Sequence, residues 1–128
     1  MSTPTARIAM VTVDCPDAEV EATFWSALTG GEGQHAERDY AMVSVSGLTL
    51  GFGRTEDYTA PEWPDTSGAK QFHLDLAVPD VEAAAEHAVS LGATRPDEQP
   101  AKEEGGTWVV LLDPAGHPFC LTDEKNWG

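Results

Sequence analysis

From residue 8 to residue 14 apolar and polar side chains alternate, which predicts a strand. Ile8, Met10, Thr12 and Asp14 fall on one face, and Ala9, Val11 and Val13 on the other. The period then changes. Val20, Phe24, Trp25 and Leu28 recur at helical spacing behind Pro16 and a suitable N-cap, Asp17, and Gly30 and Gly31 stop the helix. Residues 40–46 and 48–54 read as strands of a hairpin turned at Gly47. Residues 55–69 carry Pro61, Pro64 and Gly68 and read as a linker or lid, with Tyr58 and Trp63 as its aromatic content.

The same order then returns. At a constant offset of 63, residues 10–31 lie on residues 73–94, so that Pro16 meets Pro79, Asp17 meets Asp80, Glu19 meets Glu82 and Leu28 meets Leu91. Residues 71–78 predict a strand, and Asp80 caps a helix whose apolar face is Val81, Ala84, Ala85, Ala88 and Leu91, ended by Gly92. Residues 107–112 and 117–122 predict strands joined by the turn Asp113-Pro114-Ala115-Gly116. Residues 94–106, rich in Pro, Glu and Gly, are expected to hold a short edge strand and a loop. A repeat of this length means two copies of one supersecondary unit. The expected fold is therefore α+β: two βαβββ modules, residues 6–56 and 70–124, in a single domain spanning 1–128.

The two strand faces differ in chemistry. Val11 and Val13, with their counterparts Leu74 and Leu76, are expected to pack on the helices, as are Phe119 and Leu121. The opposite faces carry Met10, Thr12 and Asp14 in the first copy and His73, Asp75 and Ala77 in the second. The closing strands add Thr49, Gly51 and Gly53, and Pro118, Cys120 and Thr122. A partly polar face on a strand whose other face is covered must meet water or a ligand. Two four-stranded sheets with these faces inward and helices outside would form a cup for a small ligand.

Charge narrows the partners. The chain of 128 residues has a net charge of −15. Residues 1–64 hold 10 acidic and 3 basic side chains (−7) and residues 65–128 hold 12 and 4 (−8), so the acidity is even rather than a tail. It argues against nucleic acid and suits either a solvated surface or a cationic ligand. No apolar run reaches the ~20 residues of a membrane span. MSTPTARIAM has no apolar signal core, so a cytoplasmic location is expected. Two cysteines, Cys15 and Cys120, do not make a disulfide framework.

At this point the chain resembles the vicinal oxygen chelate superfamily, the fold of glyoxalase I, extradiol dioxygenases and bleomycin-resistance proteins, and within it the small bacterial glyoxalase-like members. The resemblance is carried by VTVDCPDAEVEATFWSALTG, HLDLAVPDVEAAAEHAVSLGAT and WVVLLDPAGHPFCLTD, and covers about residues 6–124. It implies that metal-dependent members take one ligand from the first and one from the last strand of each copy. Carried over, those positions are Met10, Gly51 (within one residue), His73 and Cys120. Only His73 has the expected type, so no ion held by four protein ligands is expected, although a divalent metal on His73 stays open. The resemblance also implies a homodimer.

The candidate catalytic residues are His73 and Asp75, the Asp orienting the imidazole or influencing its charge. The candidate ligand-binding residues are Met10, Thr12, Asp14, Gly51, Trp108 and Cys120; Asp14 and Asp75 would suit an amine or guanidinium. Cys120 as ligand or nucleophile competes with Cys120 as a small buried hydrophobe. Three functions remain open. One is a metal-independent small-molecule binder, such as an antibiotic-sequestering or resistance protein. The others are a metal-dependent lyase, isomerase or dioxygenase with an atypical site, and a metal-free acid–base enzyme using His73 and Asp75.

Overall fold

The computed structural model describes residues 5–63, 72–99 and 108–127. The elements are β1 (Val11–Cys15), α1 (Ala18–Thr29), β2 (Glu32–Ala36), β3 (Tyr40–Val45), β4 (Leu48–Arg54), β5 (Leu74–Val78), α2 (Val81–Leu91), β6 (Trp108–Leu112) and β7 (Pro118–Asp123), followed by a 3₁₀ helix, Glu124–Trp127. The chain divides into two compact units, Met1–Tyr58 and Thr59–Gly128. Among the described residues no helix is long and apolar enough to cross a membrane.

In the N-terminal unit the strands lie in the order β1-β4-β3-β2, with β1 parallel to β4 and the other neighbours antiparallel. The Asp17 carboxylate accepts the N–H groups of Glu19 and Val20, satisfying two donors that the first turn of α1 leaves free. At its other end Gly30 takes the left-handed conformation (φ 74°) and its N–H donates to the Ser26 carbonyl. Ala18, Ala22, Phe24 and Trp25 are buried, the two rings edge to face at 5.3 Å. Val20, expected on this face, is 52% exposed, and Glu21 is buried instead. The helix meets the sheet along positions 18, 21, 22 and 25, a stripe that turns Val20 outward.

Two more expectations are corrected here. β1 starts at Val11 rather than Ile8, because continuing the β1–β4 register backwards sets Ile8 opposite Gly47, where the hairpin turns and leaves no strand to pair. Val11 is 37% exposed although expected against the helix: β1 is the sheet edge, and α1 lies over β2, β3 and β4. The helix is received by Ala41, Val43, Leu50 and Phe52, all buried. β2 had no periodic signal. Its sequence EGQHA is exposed throughout and among the described residues pairs only with β3, with a register irregularity between Gly33 and His35. At the hairpin Ser46 (φ 48°) and Gly47 (φ 78°) both adopt positive φ, as a two-residue turn of mirror type I requires.

In the C-terminal unit the order is β5-β7-β6, β5 parallel and β6 antiparallel to β7. This is the connectivity of β1-β4-β3. Asp80 caps α2 by accepting the Ala83 N–H, and Ala85 and Ala88 are its buried positions. α2 packs on β6 and β7, whose Leu111, Phe119 and Leu121 are at most 1% exposed. A fourth strand was expected within residues 94–106; the described part holds one bridge, Thr94 to Leu112, and residues 100–107 lie outside the described residues. At Val110 the edge of β6 is met by a side chain. The buried Gln99 amide donates to the Val110 carbonyl and accepts the Val110 N–H, both at 2.9 Å, as a strand would. In the turn before β7 the buried Asp113 carboxylate accepts the N–H groups of Ala115 and His117. Because His117 also accepts the Asp113 N–H, it belongs to the turn, and β7 begins one residue later than expected.

Candidate binding site

The parallel pairing of β5 with β7 sets Asp75 beside Cys120, and the antiparallel pairing of β7 with β6 sets Val110 beside Cys120 and Trp108 beside Thr122. Side chains two apart share a strand face. Asp75, Cys120, Thr122 and Trp108 therefore stand on the face opposite Leu76, Phe119 and Leu121, with His73 two residues ahead of Asp75 on the same side. These side chains line an open cavity of about 250 Å³ together with Trp127. The 3₁₀ helix Glu124–Trp127 brings the Trp127 indole back to the sheet, where its N–H donates to the Thr122 hydroxyl, which in turn donates to the Leu76 carbonyl.

The polar centre of this cavity is compact. His73 Nε2 lies 3.5 Å from Asp75 Oδ1, with side chains 27% and 39% exposed. One ligand atom from each of His73, Asp75 and Cys120 lies within 4.8 Å of the others, and among the described residues no other three His, Cys, Asp or Glu side chains converge this way. Cys120 is buried and not in a disulfide. The set combines an imidazole nitrogen, a carboxylate oxygen and a thiol sulfur beside two indole rings. It can orient an imidazole, receive a cation on Asp75, or share an ion among three donors.

On the corresponding face of the N-terminal unit the space over Gly51 is taken by Met10. Thr12 pairs with Gly51, the rung equivalent to Asp75 with Cys120. A Cβ placed on Gly51 would lie 2.7 Å from Met10 Sδ and 3.2 Å from Thr12 Oγ1, so the methionine occupies the space a side chain at 51 would need. The Tyr40 hydroxyl donates to Met10 Sδ at 3.7 Å. Asp14, exposed, lies beside Gly53 further along β1.

The expected site residues thus fall into two groups. Met10, Thr12 and Gly51 meet in the N-terminal unit, and His73, Asp75, Trp108 and Cys120 meet in the C-terminal unit. Arg54 pairs with Asp39 at 3.7 Å, and His35 lies 3.5 Å from Glu37. The sequence reading passed over Trp127 altogether and did not rank Thr122 or Tyr40. The signal for Trp127 was there: one large aromatic in the polar segment that follows the last strand.

Comparison with known proteins places this arrangement. A solved structure of a FosX variant, the fosfomycin resistance protein of Listeria monocytogenes, in complex with Mn(II) and a dihydroxypropylphosphonic acid, superposes with a TM-score of 0.69 at 15% identity, covering 93% of this chain and 90% of that one. A glyoxalase/bleomycin resistance protein/dioxygenase family enzyme from Burkholderia phytofirmans gives 0.69 at 18% identity, covering 91% and 97%. The bleomycin-binding protein of Streptomyces verticillus, complexed with copper(II)-bleomycin, gives 0.56 at 21% identity, covering 94% and 98%. No curated protein sequence matches significantly. A family model described as glyoxalase-like domain matches residues 10–122, nearly the whole repeat. By that match the chain, with its two mixed sheets and one helix on each, belongs to the glyoxalase-like domain family.

Proposed function

We propose that this protein binds a cationic small molecule on the sheet face of its C-terminal unit and acts by sequestration, as an antibiotic-binding protein does. The observation that carries this reading is the cavity shared by His73, Asp75, Trp108, Cys120, Thr122 and Trp127. Two indoles offer flat apolar walls and π-faces that attract cations, and Asp75 supplies a countercharge. The net charge of −15 reinforces the choice of sign. The bleomycin binder among the structural neighbours supports the class; the phosphonate seen with FosX does not transfer, because an anion would meet Asp75 and an acidic surface.

Trp108 and Trp127 provide the readout. Titration of the protein with bleomycin should change its tryptophan fluorescence saturably, and fosfomycin should not. Trp108→Ala should weaken the bleomycin response. Absence of saturable binding by bleomycin and by other polyamine-bearing antibiotics would remove the reading. We also propose that the protein is a homodimer, which the exposed Phe72 and Ile8 (100% and 82%) support. Light scattering should then give about twice 13.7 kDa.

A further inference from the structure

The four-ligand metal site that the family resemblance implies does not fit this chain. Met10 and Gly51 stand at two of its positions, and neither offers a donor for Mg²⁺ or Mn²⁺; Met10 closes over Gly51 instead. The geometry points to an altered ligand set that keeps two of those positions, His73 and Cys120, and adds Asp75: we infer that His73, Asp75 and Cys120 hold a divalent ion of the zinc, cobalt and nickel group, with all three protein ligands supplied by the C-terminal unit. This inference rests on the binding face proposed above and names a cation that face takes.

Three observations support it. The donor set is nitrogen, oxygen and sulfur, and a thiolate selects softer ions over Mg²⁺ or Mn²⁺. The spacing suits a small tetrahedral ion. Bonds of about 2.0–2.3 Å place ligands roughly 3.5 Å apart. His73 Nε2 and Asp75 Oδ1 already stand at 3.5 Å, and the full set lies within 4.8 Å, with His73 and Asp75 partly exposed. The third observation is placement. Asp75 and Cys120 are ladder partners, so backbone hydrogen bonds hold two of the donors side by side. On binding, the Cys120 thiol gives its proton to solvent and the ion takes the sulfur lone pair. Three protein ligands leave a fourth position facing the cavity lined by Trp108 and Trp127, where a heteroatom of the bound small molecule completes the shell.

Co²⁺ titration of the full-length, untagged protein tests this. A Co²⁺–thiolate bond gives a near-ultraviolet charge-transfer absorption that oxygen and nitrogen ligands do not. We expect this band at one Co²⁺ per chain, displaced by Zn²⁺ but not by a tenfold excess of Mn²⁺ or Mg²⁺. Cys120→Ser should abolish the band, and Cys15→Ala should leave it. Asp75→Asn changes a partly exposed side chain and preserves the fold; it should weaken Co²⁺ binding by more than about tenfold, the least that losing even an outer-shell partner costs. No band, a band that survives Cys120→Ser, or displacement by Mn²⁺ at stoichiometric amounts would overturn the inference. The two readings separate cleanly. Co²⁺ binding with no bleomycin response removes the sequestration reading and keeps the metal site; a bleomycin response from protein that gives no cobalt band does the reverse.

Discussion

Thr12 beside Gly51 and Asp75 beside Cys120 are the same rung of the same parallel ladder, once in each unit. In the N-terminal unit the rung is closed: Gly51 has no side chain, and Met10 lies over it, held by the Tyr40 hydroxyl. In the C-terminal unit the rung opens into a cavity, with His73 where the repeat puts Met10. The backbone rules are shared, since each copy caps its helix with an Asp and ends it at a glycine. A difference that bears on the site lies on the sheet face that the helix does not cover. Duplication conserves what pairing and packing demand and leaves the uncovered face free to diverge, so function is to be sought at the mismatched positions.

The largest expected effects test the shared part. Phe52→Ala in one unit and Phe119→Ala in the other remove rings at most 1% exposed, and each should cost about 3–5 kcal/mol in urea denaturation. A cost below about 1 kcal/mol in either would show that its helix is not anchored on that sheet. Next come the mismatched rungs. Asp75→Asn should weaken binding of a cationic ligand by about 1–3 kcal/mol, the cost of a charge-assisted hydrogen bond, whereas Thr12→Val should change it by less than about 0.5 kcal/mol. Equal losses in fluorescence titrations would erase the distinction between the copies.

The caps sharpen the comparison at a smaller scale. Asp17 accepts two N–H groups and Asp80 one, so Asp17→Ala should cost about 1–2 kcal/mol and Asp80→Ala about 0.5–1 kcal/mol, read from the same urea transitions. A reversed order would mean that hydrogen-bond number does not set the capping energy here. The smallest effect concerns the closed rung. Gly51→Ala should cost about 1 kcal/mol, because its methyl group displaces the flexible Met10 thioether, and combining it with Met10→Ala should return part of that cost. Strict additivity in the double mutant would mean that the two side chains do not compete for one space.

How much of this was legible depended on what the chain had to repeat. Asp17, Asp80, Gly30, Gly92 and Gly47 mark helix ends and the hairpin, where capping and positive φ restrict the choice of residue. The face carrying His73, Asp75 and Cys120 followed from alternation alone, because β7 keeps one side on α2 and β5 pairs in register with β7. β2 was missed because an exposed edge strand needs no alternation, and its pairing with β3 is a long-range fact. Val20 was misplaced because apolar identity does not reveal the direction in which a helix is approached. Gln99 standing in for a strand and Trp127 returning to the sheet depend on single side chains that no periodic pattern announces.

The claim that the site's chemistry belongs to one copy is tested most directly by calorimetric titration of Zn²⁺ into two variants, His73→Ala and Met10→Leu, which alter equivalent positions of the repeat. The account predicts that His73→Ala lowers Zn²⁺ affinity by more than about a hundredfold, beyond the loss of an outer-shell partner, while Met10→Leu stays within about twofold of the parent. Equal losses in both variants, or unchanged binding in His73→Ala, would contradict it.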